Sequence, residues 1–116
     1  MKALAVFHDY GDGFLQRFLK PGFRHVFVAV QCGDYWIKFD GQTGAPTVEV
    51  VAGRDYDLAT FYRGEGFVVL ETYQRPTSWR YPLAAATCVG MVKAILNVRS
   101  TAVTPWRLHQ YLRRYR

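Results

Sequence analysis

The side chain best placed for nucleophilic chemistry is that of Cys88. It begins residues 88–97, where apolar residues recur at helical spacing, so the sequence predicts a helix with the cysteine on its first turn and Thr87 as N-cap. Unpaired N–H groups and the positive end of the helix dipole favour a thiolate there. The predicted apolar face comprises Cys88, Met91, Val92, Ile95 and Leu96. Cysteines on such faces are more often small core residues. A catalytic role for Cys88 therefore depends on a basic side chain elsewhere in the chain that can activate the thiol.

A predicted β-hairpin offers that partner. Residues 24–31 and 35–40 alternate as two strands, and Gly33 and Asp34 between them form a glycine-first pair typical of a type II′ turn. Such a turn pairs residues whose numbers sum to 67, and this register fixes which side chains share a face. The face predicted to be buried comprises Val26, Val28, Val30, Ile37 and Phe39.

The other face of the hairpin carries a histidine near two polar side chains. In the predicted register His25 lies opposite Gln42 and one diagonal step from Asp40. A carboxylate or an amide on the neighbouring strand can orient an imidazole as a general base through its second ring nitrogen. Asp40 and Gln42 both remain candidates for that role, and a histidine that opens a strand is more often structural.

The remaining patterns predict an α+β fold. Further strands are expected at residues 2–7, 46–52 and 67–73, a helical turn at 56–62, and a helix that begins at Thr104-Pro105. The apolar face of that helix comprises Leu108, Tyr111, Leu112 and Tyr115. We therefore expect one domain over residues 1–116, with a small antiparallel sheet packed on the cysteine-bearing helix and the C-terminal helix.

Composition excludes several classes of protein. Half of the 116 residues are hydrophobic and 16% are aromatic, which argues against disorder. No apolar run approaches the roughly 20 residues that cross a bilayer, and residues 3–7 are too few for a signal peptide. We therefore expect no membrane association, and composition leaves the compartment open, with the cytoplasm as one candidate.

Neither the two cysteines nor the loop that contains His8, Asp9 and Asp12 predicts a cofactor. Cys32 and Cys88 are 56 positions apart, which is neither a disulfide framework nor a metal spacing. His8, Asp9 and Asp12 are metal-ligand types, but loops commonly carry Asp and Gly for turn geometry. The sequence therefore predicts reduced thiols, no metal and no cofactor.

The net charge of +6 is concentrated late in the chain. Eight basic residues and no acidic residue follow Glu71, whereas residues 1–71 are net −2. A cationic surface of this kind suits nucleic acid, an anionic polymer or an acidic protein. Arg113 and Arg114 also complement a helix dipole without any partner. No recognised nucleic-acid-binding motif accompanies the charge, so we do not expect nucleic acid to be the partner.

Four short motifs give the chain a resemblance to a known family. They are FRHVFV at residues 23–28, WIKFD at 36–40, TCVGMVK at 87–93 and TPWRL at 104–108. In this order the chain resembles circularly permuted papain-like domains, namely the permuted NlpC-like cysteine peptidases and the lecithin:retinol acyltransferase-like proteins. The last motif resembles small phage-encoded members.

The resemblance implies roles for three residues. Cys88 would be the nucleophile, His25 the general base and Asp40 the orienting residue, with Gln42 as the rival for the third role. Permuted acyltransferase-like members usually have a polar residue, often Asn, directly before the cysteine, where this chain has Thr87. An oxyanion hole would use the Cys88 N–H and a second donor that the sequence does not identify.

The expected function is thiol-dependent hydrolysis or acyl transfer at an amide or ester bond of a peptide or acyl substrate. The alternative is a catalytically silent papain-like interaction protein, such as a phage virion component with protein partners in a larger assembly. A nucleic-acid binder ranks below both.

Overall fold

Within the residues that the structure describes, the chain forms five strands and three helices. The computed structural model describes residues 1–9, 19–42, 45–75 and 88–115, with residues 42 and 45 described as backbone only. The strands are β1 (Lys2–His8), β2 (His25–Cys32), β3 (Tyr35–Gln42), β4 (Ala45–Gly53) and β5 (Val68–Tyr73). The helices are α1 (Leu58–Gly64), α2 (Cys88–Leu96) and α3 (Pro105–Tyr115). The predicted α+β class is confirmed.

The strands form one antiparallel sheet in the order β4-β3-β2-β1-β5. The β2–β3 register runs from Cys32 opposite Tyr35 to Val28 opposite Phe39, which confirms the pairing predicted from the turn. Gly33 has φ +60°, while the positive-φ residue other than glycine in the described ranges is Asn97. This combination fits a type II′ turn, because a type I′ turn needs positive φ at both central residues.

Each face of the sheet is covered by helix. Valines of β2 and alternate residues of β1 face α2 and α3, whereas the other face packs on α1. The first core includes Ala5, Phe7, Val26, Val28, Val30, Val92, Leu96, Leu108 and Leu112. The second includes Leu4, Val6, Phe27, Ala29, Trp36, Leu58 and Tyr62. The strand alternation therefore separates the two cores as the predicted register requires.

The helices differ from their predicted faces in detail. In α2, Val89, Val92 and Leu96 are buried, whereas Cys88 and Met91 are half-buried. The predicted stripe therefore lies along one flank of the buried face, and Val89 was missed. In α3 the Thr104 hydroxyl accepts a hydrogen bond from the Arg107 N–H at 3.3 Å.

At the other end of α3 one prediction is wrong. Tyr115 was expected on the apolar face, but it is exposed because it lies in the last turn of the helix. His109, near the middle of α3, is buried although it was not predicted on the apolar face, and its ring lies against those of Phe7, Phe23 and Trp106.

Among the described residues, no helix is both long enough and apolar enough to cross a membrane.

The first turn of α2 lies directly on β3 at Gly41. A Cβ placed on Gly41 would lie 2.9 Å from the Met91 Cβ and 3.3 Å from the Cys88 Cα. The first distance is shorter than ordinary carbon contacts, and the Cys88 atom belongs to backbone that cannot rotate away. Glycine at position 41 is therefore what lets the cysteine approach this strand.

We expect Gly41→Ala to lower the free energy of unfolding by about 1–3 kcal/mol, because the added methyl overpacks the contact with α2. Gly53→Ala is the matched control, since a Cβ there meets nothing within 4 Å. Urea denaturation of both variants measures the difference. Equal stability would contradict the close approach of α2 to β3.

Candidate active site

A short hydrogen bond between two buried polar side chains forms the centre of the site. His25 Nε2 lies 2.6 Å from Asp40 Oδ1. Both residues are buried, with 2% and 4% of their surface exposed. A buried polar group needs a partner, and here each supplies the other's. Asp40 is therefore the hydrogen-bond partner of the His25 ring, and its orienting role stays a prediction.

The end of the β2–β3 ladder explains why these side chains meet. The paired register stops at Val28 and Phe39, so His25 and Asp40 lie beyond its last rung. Their side chains join the two strands where the backbone register has ended. By strand alternation both belong to the face of Phe27, which is opposite to the face on which α2 packs.

Cys88 nevertheless contacts His25. Because Gly41 has no side chain, the Cys88 Cα sits against β3 directly beside Asp40. From there Cys88 makes a side-chain hydrogen bond with His25. Since Nε2 faces Asp40, Nδ1 is the ring nitrogen that remains for the thiol. The structure thus brings together the three residues singled out in the sequence, and their catalytic roles stay predictions.

The charges around His25 favour its protonated form. Burial by itself lowers the pKa of His25, but the hydrogen bonds to Asp40 and Cys88 outweigh burial and raise this pKa from 6.5 to about 9. The imidazole therefore carries a proton at neutral pH. An imidazolium between a carboxylate and a thiol is suited to stabilise a thiolate and to donate a proton to a leaving group.

His8 is a second imidazole in the site, and its position beside His25 was not predicted. It lies opposite His25 in the β1–β2 register, and the two ring centroids are 5.1 Å apart. Its ring also contacts those of Phe27 and Phe67. Burial, followed by the positive charge of His25, lowers the pKa of His8 from 6.5 to about 4. One imidazole is thus neutral and its neighbour charged at neutral pH.

Lys38 is a further site residue that sequence reasoning missed. Its Nζ lies 3.9 Å from Asp40 Oδ2, 3.8 Å from Glu49 Oε1 and 4.5 Å from the centre of the Phe27 ring. Asp40 is therefore flanked by two cationic side chains, one at each carboxylate oxygen. Lys38 and Asp40 are two apart on one strand, so strand alternation predicts that they share a face, but it gives the lysine no role in the site.

Some predicted site features lie outside the described residues. These are the side chain of Gln42, the proposed N-cap Thr87 and the loop residue Asp12. Within the described ranges, no group of three or more His, Cys, Asp or Glu residues could hold a metal ion. Cys88 is the first residue of α2, and the N–H of a first helical residue has no acceptor within its own helix.

Comparisons of the chain with protein-family models, curated proteins and solved structures give no match, so the interpretation of the site rests on its own geometry.

The opposite pKa shifts of the two histidines predict a stability maximum near pH 6.5. The contribution of His25 is complete below 6.5 and is lost as the pH rises through about 9, since its folded-state pKa is raised. That of His8 is complete above 6.5 and is lost as the pH falls towards about 4, since its folded-state pKa is lowered. For His25 the loss amounts to about 3 kcal/mol.

Urea unfolding at pH values near 4, 6.5 and 9 measures these changes. His25→Gln should flatten the alkaline limb, and His8→Gln should flatten the limb immediately below the maximum. A wild-type curve that keeps rising towards pH 9 would contradict the raised pKa of His25.

Proposed function

We propose that the protein is a thiol-dependent hydrolase or acyltransferase that acts on an amide or ester bond. The observation that carries this proposal is the buried contact between His25 Nε2 and Asp40 Oδ1 at 2.6 Å, with Cys88 hydrogen-bonded to the same imidazole. A nucleophile, a base and a group that orients the base are the parts that covalent acyl transfer needs.

The proposed reaction has two steps. In the first, the Cys88 sulfur attacks the carbonyl carbon, a C–S bond forms, and the bond to the leaving nitrogen or oxygen breaks. In the reacting ion pair the thiol proton already resides on His25, and this imidazolium delivers it to the leaving atom. In the second step, water or an acceptor hydroxyl or amine attacks the thioester, and its proton returns through His25 to the sulfur.

Asp40 acts on this reaction through His25. Its Oδ1 fixes the ring so that Nε2–H points at the carboxylate and Nδ1 is left for the thiol. The carboxylate also stabilises the imidazolium that forms when the thiol loses its proton. The Cys88 N–H would donate to the oxyanion of the tetrahedral intermediate.

The proposal includes a permuted papain-like fold. The described chain supports it by the order of its parts, with the histidine strand β2 preceding the cysteine helix α2, and by packing the first turn of α2 on the sheet beside that histidine. A catalytically silent interaction protein would have the same fold, so the fold does not distinguish the two functions. They differ in the reactivity of the Cys88 thiol, which can be measured.

We expect Cys88 to react with iodoacetamide at about pH 6 at least about tenfold faster than Cys32, because an imidazolium partner stabilises its thiolate. Cys32 is a stringent internal control, since it is exposed whereas Cys88 is half-buried. Peptide mapping by mass spectrometry measures each rate separately.

His25→Gln and Asp40→Asn should each slow the alkylation of Cys88 and leave the alkylation rate of Cys32 unchanged. If the exposed thiol reacts faster in the wild type, and neither variant alters Cys88, the catalytic proposal fails and the silent interaction protein is favoured.

A further inference from the structure

Lys38 is a cationic side chain of the candidate active site that the proposed reaction leaves unused. Its Nζ lies 3.9 Å from Asp40 Oδ2, and His25 Nε2 lies 2.6 Å from the other oxygen of the same carboxylate. The Lys38 side chain is 23% exposed and that of Asp40 is 5% exposed, so both charges are largely withdrawn from water. Water therefore screens the lysine weakly, and its charge acts on the neighbouring groups.

Two further contacts fix the position of the lysine. Its Nζ lies 4.5 Å from the centre of the Phe27 ring and 3.8 Å from Glu49 Oε1 on the neighbouring strand β4. Lys38 and Glu49 are also paired in the β3–β4 register, so the backbone sets the two side chains opposite each other. The ammonium therefore lies between two carboxylates, of which that of Asp40 is buried and that of Glu49 is exposed.

Titratable groups from several elements lie around the His25–Asp40 pair. In the described residues they are His8 of β1 and Asp9 directly after it, Lys38 of β3, Glu49 of β4, Tyr62 of α1 and Cys88 of α2. His8 is neutral at neutral pH, as its lowered pKa requires. Burial and the charges of Glu49 and Asp40 raise the pKa of Tyr62 to about 12, so this hydroxyl is uncharged as well. Lys38 is therefore the member of this set that opposes the Asp40 carboxylate with a positive charge.

We propose that Lys38 is a positioning residue that acts through Asp40: it attracts Oδ2 of the carboxylate and so weakens the hold of Oδ1 on the His25 proton. The inference rests on the proposed function, in which the His25 imidazolium delivers its proton to the leaving atom. A carboxylate whose charge acted on His25 alone would stabilise the imidazolium more strongly and make it a poorer acid. The lysine thus keeps the imidazolium able to release the proton.

NMR titration of the His25 ring tests this role. Lys38→Met keeps the length and the apolar stem of the side chain but removes its charge, so it should raise the pKa of His25 by about 0.5–1. Lys38→Arg keeps the charge and should retain most of the wild-type value. A lysine that only stabilised the fold would leave this pKa unchanged in both variants.

Glu49→Gln is a second variant, at a side chain that is 59% exposed. It should lower the pKa of His25, because the ammonium of Lys38 is then drawn to Asp40 alone. Shifts of opposite sign in Lys38→Met and Glu49→Gln follow from charge and not from packing. Lys2→Met is the matched control, because Lys2 is exposed at the end of β1 that is remote from His8, and it should leave the pKa of His25 unchanged.

Alkylation of Cys88 by iodoacetamide at about pH 6 separates this inference from the proposed function. Fast alkylation in the wild type, with a His25 pKa that neither Lys38→Met nor Glu49→Gln alters, refutes the role of Lys38 and leaves the proposed function standing. Alkylation of Cys88 no faster than that of Cys32 refutes both. Should Lys38→Met not fold, the direction of the shift in Glu49→Gln decides the matter by itself.

Discussion

The buried hydrogen bond between His25 and Asp40 is the contact on which the rest of the site depends. Removing an imidazolium and a carboxylate from water costs several kcal/mol for each ion, and only close pairing offsets that cost. The 2.6 Å contact supplies the pairing, and Lys38 at the second carboxylate oxygen adds a further positive charge. Replacing either member of the pair would remove the closest polar partner of the other, which is buried.

The buried His25–Asp40 pair also accounts for the neutral state of His8 and for the glycine at position 41. A protonated His25 opposes protonation of His8, whose ring is 5.1 Å away, so burial and charge together keep the second imidazole neutral. A glycine is needed at position 41, because any side chain there would hold α2 away from the strand that carries Asp40. The pair, the neutral histidine and the glycine contact thus form one connected arrangement.

Local sequence patterns predicted the parts of the fold that depend on short-range geometry. The two-residue turn at Gly33 fixes the β2–β3 register, and that register brings His25 near Asp40. The β1–β2 register, which sets His8 opposite His25, joins strands separated by a long connection, and no turn type specifies such a pairing. The proximity of the two histidines therefore could not be predicted.

Packing between elements accounts for the other differences. The pattern of α2 placed Met91 on its face, but α2 packs on β2 and β3 and joins a core that also contains residues of α3, and this wider apolar environment buries Val89. Helical spacing predicts that a helix has an apolar face, but it does not determine which residue lies at the middle of that face. The contact between Cys88 and His25 likewise depends on how α2 docks at Gly41, which a strand pattern alone does not reveal.

The coupling of His25 to Asp40 and Cys88 is tested most directly by an NMR titration of the His25 ring, assigned by the signal that His25→Gln removes. The pKa of His25 is expected to be about 9 in the wild type and to fall in Cys88→Ser, because the thiol contributes to its elevation. A His25 pKa near the ordinary value of about 6.5, unchanged by Cys88→Ser, would contradict the account.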